Sequence, residues 1–296
     1  MKNRMKKSQP VLTLILGLLA VVCLLPLVLV IIVSFTDETS LSEKGFSFFP
    51  GAWSLKGWQY VAEYSGQILK SYQITLFEVI VGTCVTLLFT SMFAYALSRK
   101  DWVLNRFLSV VLLITMLFNG GMVSSYIVNT NMYHLKDNLL VLVLPGAVSA
   151  FNCIVMRTFI QSNIPDSLIE AAKIDGAGEF YLFFQVVLPL MIPSLAAIGF
   201  MSAIGHWNEW QQCMLYIDDP NKTTLQLLLV RIEKSLEYLR NNMDNLTPGQ
   251  IERLNRAPGT SMRMALLCVT MGPILIVYPF FQRYFIQGIT VGAVKG

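Results

Sequence analysis

Charged residues are scarce in this chain. Asp, Glu, Lys and Arg make up 14% of its 296 residues, whereas average soluble proteins carry about 25%. Hydrophobic residues make up 54%, and the mean hydropathy is +0.57. Such a deficit of charge, spread over long uncharged runs, is typical of a membrane protein. The net charge of +4 is small, and no basic stretch is interleaved with aromatic residues, so nucleic-acid binding is not indicated.

The sequence also lacks the motifs of nucleotide binding and metal chemistry. No Gly-x-x-x-x-Gly-Lys-Ser/Thr phosphate loop occurs, and Gly176-Ala-Gly178 has neither the third glycine nor the preceding strand of a dinucleotide fingerprint. The five cysteines stand singly, and the two histidines are isolated, so their spacing predicts neither a disulfide framework nor a zinc site. We therefore expect no catalytic residue, no metal and no cofactor in this chain, which argues against an intramembrane enzyme.

Apolar runs dominate what is present. Residues 11–33 form an uncharged run longer than the ~20 residues that a helix needs to cross a bilayer. This run is too long for a signal peptide and Ser34-Phe-Thr-Asp-Glu offers no small-residue cleavage site, so we interpret it as a retained span. The sequence predicts an all-α, polytopic membrane protein with one transmembrane domain over residues 1–296. The six predicted spans are residues 11–33, 74–97, 107–126, 139–155, 186–204 and 264–281.

The distribution of basic residues predicts the orientation. With the N-terminal tail (residues 1–10) inside, the cytoplasmic pieces hold more Lys and Arg than the short outer loops, which favours cytoplasmic N- and C-termini. Residues 37–70 are rich in aromatics and contain Gly45, Pro50 and Gly51, which favours an ordered external loop rather than a helix. Residues 206–262 form a long external segment, with helical periodicity over 223–240.

A polar elbow at residues 165–187 interrupts the apolar runs. Pro165 and Asp166 suit the first turn of a helix. Gly176 and Gly178 can end that helix in a sharp reversal, because glycine adopts the backbone angles required. A second short helix is predicted over 179–187. The orientation above places this elbow in the cytoplasm.

The elbow resembles the EAA loop of ABC importer permeases. The matching residues are Glu170-Ala-Ala, Asp175-Gly-Ala, Phe183 and Leu188-Pro189. In that family the loop is the coupling helix, which docks into a groove on the ATP-hydrolysing subunit. The resemblance therefore implies that ATP and Mg are bound by partner subunits. It assigns the coupling role to Glu170, Ala171, Ala172, Asp175, Gly176 and Ala177.

The resemblance extends over nearly the whole chain. Trp207-Asn-Glu-Trp210, Pro258-Gly-Thr-Ser-Met-Arg-Met-Ala265 and the Gly-Ala-Val-Lys-Gly296 ending look like the MalG-like branch of carbohydrate importers, closest to oligosaccharide (aldouronate- or multiple-sugar-type) permeases. This implies a type I ABC importer permease fold with six spans in the cell membrane. It also implies a second, MalF-like permease, cytoplasmic ATP-binding subunits and an extracytoplasmic solute-binding protein as partners.

Polar residues in or next to the predicted spans are candidates for the substrate path. Glu78, Asn119 and Asn152 lie within spans, where polar groups usually face a cavity or the bundle interior. Glu78 is predicted near an outer end, from which it reaches the interface, and the amides also suit interhelical hydrogen bonds. The denser cluster is Trp207, Asn208, Glu209 and Trp210. It combines aromatic faces with amide and carboxylate groups, as a sugar site requires, although an interfacial aromatic belt has the same composition.

Two alternatives to a carbohydrate permease remain. An ABC importer for another solute, such as amino acids, peptides or phosphate, would have the same elbow, although the spans contain no cationic cluster for phosphate. A channel or secondary transporter would have no reason for the elbow, and no inverted repeat is visible.

Overall fold

The computed structural model describes residues 2–99, 101–241, 247, 249 and 259–293, and most of these are helical. The one extended pairing within those ranges is an isolated antiparallel bridge between Thr36 and Trp53. The predicted all-α class is therefore confirmed. The α-helices are α1 (Lys2–Ser34), α2 (Glu38–Lys44), α3 (Lys56–Glu63), α4 (Ser65–Ser98), α5 (Asn105–Leu117), α6 (Gly121–Ile127), α7 (Ala150–Asn163), α8 (Asp166–Ile174), α9 (Glu179–Tyr181), α10 (Leu188–Leu190), α11 (Ile192–Trp207), α12 (Gln211–Tyr216), α13 (Leu225–Asn241) and α14 (Thr260–Ala293).

Shorter helical turns connect several of these elements. Two π-helices follow α6 and α9, at Val128–Met132 and Leu182–Val187. Two 3-10 helices lie at Leu139–Leu142 and Pro220–Lys222. The helix expected over 223–240 is present as α13. The motif at 258–265 and the ending at 292–296 fall partly outside the described residues.

The chain packs into two compact units, of which the first comprises Met1–Gln67 and Leu229–Pro273. In this unit the Glu38 carboxylate at the start of α2 lies at the start of α14. Its Oε1 accepts a hydrogen bond from the Thr260 amide at 2.8 Å, and its Oε2 accepts from the Ser261 amide at 3.2 Å. An acidic group there satisfies helical N–H groups that have no partner within the helix and complements the helix dipole.

The prediction that residues 37–70 lack helices is wrong. That segment contains α2, α3 and the first residues of α4. Asp37 caps α2 by accepting a hydrogen bond from the Thr39 amide at 3.1 Å, and Gly45 ends it with a φ of 67°. The glycines and proline therefore bound short helices rather than prevent them.

The second unit comprises Ile68–Leu228 and Ile274–Gly296. Its longest element is α4, whose 34 residues extend about 50 Å at 1.5 Å per residue. Between positions 71 and 90, buried polar residues of α4 and the buried Gly82 recur every three or four positions and therefore form one stripe along the helix. They are Ser71, Thr75, Glu78, Gly82, Thr86 and Thr90. Where α4 ends, Tyr95 packs with Met156, Ile160, Ile169 and Phe183 in a core beneath the elbow.

Three helical segments are long and apolar enough to cross a membrane: Leu12–Ser34, Ser65–Ser98 and Thr260–Pro279. Two bent pairs also qualify when each is counted as one span, which gives up to five within the described chain. The structure thus supports a membrane protein with several apolar helices. The six spans and their boundaries stay predictions.

The helices over three of the predicted spans are interrupted. Residues 107–126 contain a 117° bend between α5 and the segment Gly121–Met132, at Asn119 and Gly120. The Asn119 Oδ1 accepts a hydrogen bond from the Gly121 amide at 2.8 Å, which stabilises the break. Residues 139–155 contain only a 3-10 turn and the start of α7. Residues 186–204 belong to a segment that begins at Glu179, bends by 79° and ends at Trp207.

Candidate functional site

The elbow forms as the sequence predicts. The first helix, α8, begins after Pro165, which has a φ of −65°, and carries Asp166 in its first turn. Gly176 follows the helix with a φ of +84°, a left-handed backbone conformation that is unfavourable for residues with a Cβ. The Ala177 amide donates to the Ala172 carbonyl at 3.0 Å, which closes the helix end. The predicted helix over 179–187 is helical as well, although most of it has π geometry.

The two faces of α8 have different surroundings. Ile169 is 3% exposed and packs in the core, with Ala172 and Ala177 partly buried against it. Glu170, Ala171, Asp175 and Gly176 are exposed. Ile174 is 86% exposed and lies beside the acidic Asp175. The face that carries most of the predicted coupling residues is therefore not covered by any of the described residues.

A charged network joins the elbow to the end of α4. Lys173, in the last turn of α8, contacts Glu179 Oε1 at 2.7 Å across the Gly176 turn. The Tyr95 hydroxyl donates to the other carboxylate oxygen, Glu179 Oε2, at 2.7 Å. Tyr95 is only 7% exposed and its ring lies 5.5 Å from that of Phe183. A charge-assisted hydrogen bond from a buried donor restrains the elbow more strongly than an exposed ion pair alone.

Asp101 extends this network to the loop after α4. Its Oδ2 lies 3.1 Å from Arg99 Nη2 and 3.7 Å from Lys173 Nζ. The hydrogen bond from Arg99 holds the pKa of the Asp101 carboxyl below its usual value. A cavity of about 370 Å³ opens at the same place, and Glu170, Lys173 and Asp101 line it. This network was not predicted from the sequence. The opposite charges of Lys173 and Glu179, on either side of a glycine turn, could have indicated an ion pair across the turn.

A larger polar cavity, of about 780 Å³, also belongs to the second unit. It is lined by the segment around α6, by Leu144 and Pro145, and by α12 with the residues before it. The side chains with hydrogen-bonding groups in its wall are Asn119, Ser124, Ser125, Asn129, Tyr133, Glu209, Gln211, Gln212 and Tyr216. Tyr216 is fixed by the Asn129 amide at 3.0 Å and by stacking on Tyr126, with centroids 5.5 Å apart.

The cavity brings together two of the predicted substrate-path residues, Asn119 and Glu209. The Glu209 Oε1 accepts a hydrogen bond from the Gln212 amide at 2.7 Å, so this carboxylate is held at the start of α12. Asn152 does not line the cavity; it lies on the first turn of α7, where its backbone N–H donates to the Ser149 hydroxyl at 3.5 Å. The neighbouring Gln211 and Gln212 supply amides to the cavity instead.

The tryptophan pair has a packing role in the structure. Trp207 is 5% exposed, with its ring edge-on to Tyr72 at 6.1 Å. Trp210 packs against the core cluster that contains Tyr216. Asn208 accepts a hydrogen bond from the Gln226 side chain at 3.4 Å. Of the four predicted cluster residues, only Glu209 lines the cavity: Trp207 is buried at the end of α11, and Trp210, which follows that helix, is partly buried against the core cluster.

Glu78 is buried within the chain, and its position relative to the membrane interface stays a prediction. Because α4 begins at Ser65, Glu78 lies well inside the helix and is 0% exposed. The carboxylate Oε1 is 3.5 Å from His206 Nδ1, on α11. Gly82, one turn along α4, makes room for the imidazole: a Cβ there would lie 2.6 Å from His206 Cε1. Glu78 thus links α4 to α11 and does not line the polar cavity.

Comparison with known proteins decides the family. The profile described as "Binding-protein-dependent transport system inner membrane component" matches residues 4–291. The chain belongs to this family. Within it, the chain is 36% identical to the polygalacturonan/rhamnogalacturonan transport system permease protein YtcP of Bacillus subtilis (strain 168), over 94% of each chain. It is 30% identical to the arabinooligosaccharides transport system permease protein AraQ of Halalkalibacterium halodurans, over 98% of this chain and 99% of the relative.

A solved structure agrees with this assignment. The chain superposes with a TM-score of 0.79 and 28% identity on a chain of a bacterial ABC transporter that imports the acidic polysaccharide alginate, over 95% of this chain and 97% of that one. The resemblance to ABC importer permeases is therefore confirmed. The family consists of membrane components of transport systems, so the chain is a permease rather than an enzyme itself.

Proposed function

We propose that this permease moves an oligosaccharide across the cell membrane by alternating access, driven by ATP hydrolysis on partner subunits. The observation that carries this proposal is the polar cavity. Its wall combines amides, hydroxyls, tyrosine rings and one carboxylate, which are the groups that bind polyhydroxylated ligands. The relatives named for polygalacturonan, arabinooligosaccharides and alginate support a carbohydrate cargo.

The elbow is the proposed entry point for energy. Its exposed acidic and apolar face would dock on a cytoplasmic ATP-binding subunit, while its other face packs on the core below α4. The remaining partners would be a second, MalF-like permease and an extracytoplasmic solute-binding protein. This arrangement requires the elbow on the cytoplasmic side, with cytoplasmic N- and C-termini and six spans, as the distribution of basic residues favours.

The charged side chains in the wall of the polar cavity indicate which part of the cargo this chain contacts. Among the described residues, the cavity wall contains the Glu209 carboxylate and no Lys or Arg. A carboxylated sugar would be repelled there, whereas neutral hydroxyls can hydrogen-bond the amides. We infer that this chain contacts an uncharged part of the cargo, and that any acidic groups of the cargo contact the partner permease.

Uptake by the reconstituted transporter tests the proposal. Proteoliposomes would contain both permeases and the ATP-binding subunits, with the solute-binding protein outside and ATP inside. The panel would be neutral arabino-oligosaccharides, acidic oligogalacturonides, oligopeptides and single amino acids. ATP-dependent uptake of an oligosaccharide supports the proposal, and Gln212→Ala should reduce it about ten-fold by removing one cavity amide. Uptake of peptides alone would favour the non-sugar importer, and uptake without ATP would favour a channel or secondary transporter.

A further inference from the structure

A third cavity, of about 710 Å³, lies between the loop after α4, the start of α5 and the middle of α7. Part of its lining is polar and basic, with Arg106, Ser109 and Arg157. Part is apolar, with Val110 and Leu113. Arg106, Val110 and Leu113 are four and seven positions apart on α5, so basic and apolar groups follow one another along one face of the helix.

Arg157 reaches from α7 to α5 at Ser109. Its Nη1 donates to the Ser109 hydroxyl at 3.1 Å, and Ser109 is one turn from Arg106 on α5. Arg157 Nε is buried without a hydrogen-bond partner. Within the described part of the chain, neither arginine forms an ion pair with a carboxylate. Asp101 also lines the cavity, but Arg99 and Lys173 hold its carboxylate.

Arg157 is half-buried, and a buried guanidinium nitrogen without a hydrogen-bond partner is unfavourable. An anion held by Arg157 and Arg106 would supply acceptors, and guanidinium groups bind phosphate oxygens in bidentate geometry. The apolar side chains of the lining restrict the kind of anion. Val110 is 50% exposed and Leu113 49% exposed, and Val103 at the rim is 91% exposed. A soluble anion would leave this apolar strip in water, whereas an amphiphile covers both the basic groups and the apolar strip.

We propose that this cavity binds an anionic phospholipid, with its phosphate between Arg106 and Arg157 and an acyl chain along Val110 and Leu113. Trp102 lies at the same cavity, and tryptophan favours the level of lipid headgroups. Basic pockets between membrane helices are known to select anionic headgroups. Asp101 borders both this cavity and the cavity beside the elbow, so the lipid lies next to the elbow. This site is independent of which solute is transported.

Native mass spectrometry of the complete, detergent-purified transporter tests the site. The complex is titrated with dioleoylphosphatidylglycerol or with dioleoylphosphatidylcholine, and the number and affinity of retained lipids are measured. We expect the number of tightly bound lipid molecules on the wild type to be larger by one in phosphatidylglycerol than in phosphatidylcholine. Replacing both arginines (Arg106→Gln with Arg157→Gln) should weaken binding of that lipid about 20-fold, since each cation contributes about five-fold. Arg231→Gln, an exposed arginine on α13, is the matched control and should change nothing.

A fallback variant and three contrary outcomes complete the test of the lipid site. If the double variant does not assemble, Arg106→Gln alone is used, because Arg106 is exposed and its loss should weaken binding about five-fold. Equal phosphatidylglycerol binding by wild type and variants would overturn the proposal. Displacement of the lipid by millimolar inorganic phosphate would also overturn it, because the site would then take a free anion. Cross-linking of a Leu113→Cys variant to the partner permease would overturn it as well, because protein and not lipid would then cover the cavity.

Discussion

His206 reaches Glu78 only because residue 82 has no side chain. A Cβ on Gly82 would lie 2.6 Å from His206 Cε1 and Nε2, so the imidazole would have to move away from the buried carboxylate. We expect Gly82→Ala to destabilise the protein by about 1–3 kcal/mol, through overpacking and loss of this contact. Thermal unfolding of the purified protein in detergent measures the effect.

Gly199 on α11 provides a matched control. A Cβ there would meet Leu87 Cδ1 at 3.1 Å, and a leucine methyl at the end of a side chain can move by a few tenths of an ångström. Gly199→Ala should therefore change stability by less than about 0.5 kcal/mol. In a His206→Ala background, Gly82→Ala should have no further effect. An equal loss in both backgrounds would show that the imidazole is not what Gly82 accommodates.

The Tyr95 hydroxyl gives a second prediction at the residue scale. Tyr95→Phe keeps the ring that packs on Phe183 and removes only the hydrogen bond to Glu179. We expect the interaction that holds the elbow to α4 to weaken by about 1 kcal/mol. The amount of solute carried per ATP hydrolysed should therefore fall about five-fold. The measurement is simultaneous uptake and ATP hydrolysis in proteoliposomes.

Tyr181→Phe is the control for this change, since Tyr181 lies on the same elbow but is 61% exposed. It should leave the ratio of uptake to hydrolysis unchanged. If Tyr95→Phe also leaves the ratio of uptake to hydrolysis unchanged, the network holds the elbow but does not affect the coupling of transport to ATP hydrolysis.

At the scale of the element, the elbow depends on one backbone conformation. Gly176 has a φ of +84° with no atom within 4 Å of a Cβ, whereas Gly178 has a φ of −75°. Gly176→Ala should therefore be disfavoured by about 1 kcal/mol from backbone strain alone. Gly178→Ala should be neutral or slightly stabilising. Hydrogen exchange at the amides of residues 172–178 compares the two, and equal exchange would contradict the role of Gly176.

The elements differ in how far the sequence predicted them. The elbow was predicted because its signals are local: Pro165, the acidic first turn and the glycines lie within a few residues of the structure that they determine. The inward packing of Trp207 and Trp210 and the burial of Glu78 were not predicted, because they depend on where α4 starts and α11 ends. The Tyr95–Glu179 hydrogen bond joins residues 84 positions apart, and the local sequence pattern at either residue does not indicate such a contact.

At the scale of the whole molecule, α4 connects the elbow to α11 within the second unit. The elbow, with its network around Glu179, lies where α4 ends at Ser98, and Glu78 in the interior of α4 contacts His206 of α11. The polar cavity begins three residues after His206, at Glu209. α4 is one uninterrupted helix over this distance. A displacement of the elbow can therefore reach α11 through two direct contacts of a single rigid element, which is the physical basis that alternating access requires.

The exposed face of the elbow gives the last prediction, which concerns assembly. Glu170 and Asp175 are exposed and belong to neither of the ion pairs that Lys173 makes, with Asp101 and Glu179. Replacing both acids (Glu170→Lys with Asp175→Lys) should leave the fold unchanged and weaken binding of the ATP-binding subunit at least ten-fold, because the charge of the proposed docking face would be reversed. Co-purification of that subunit with the tagged permease measures this. Glu233→Lys, also exposed but on α13, should retain the subunit in full. Full retention by the elbow variant would mean that the ATPase docks elsewhere.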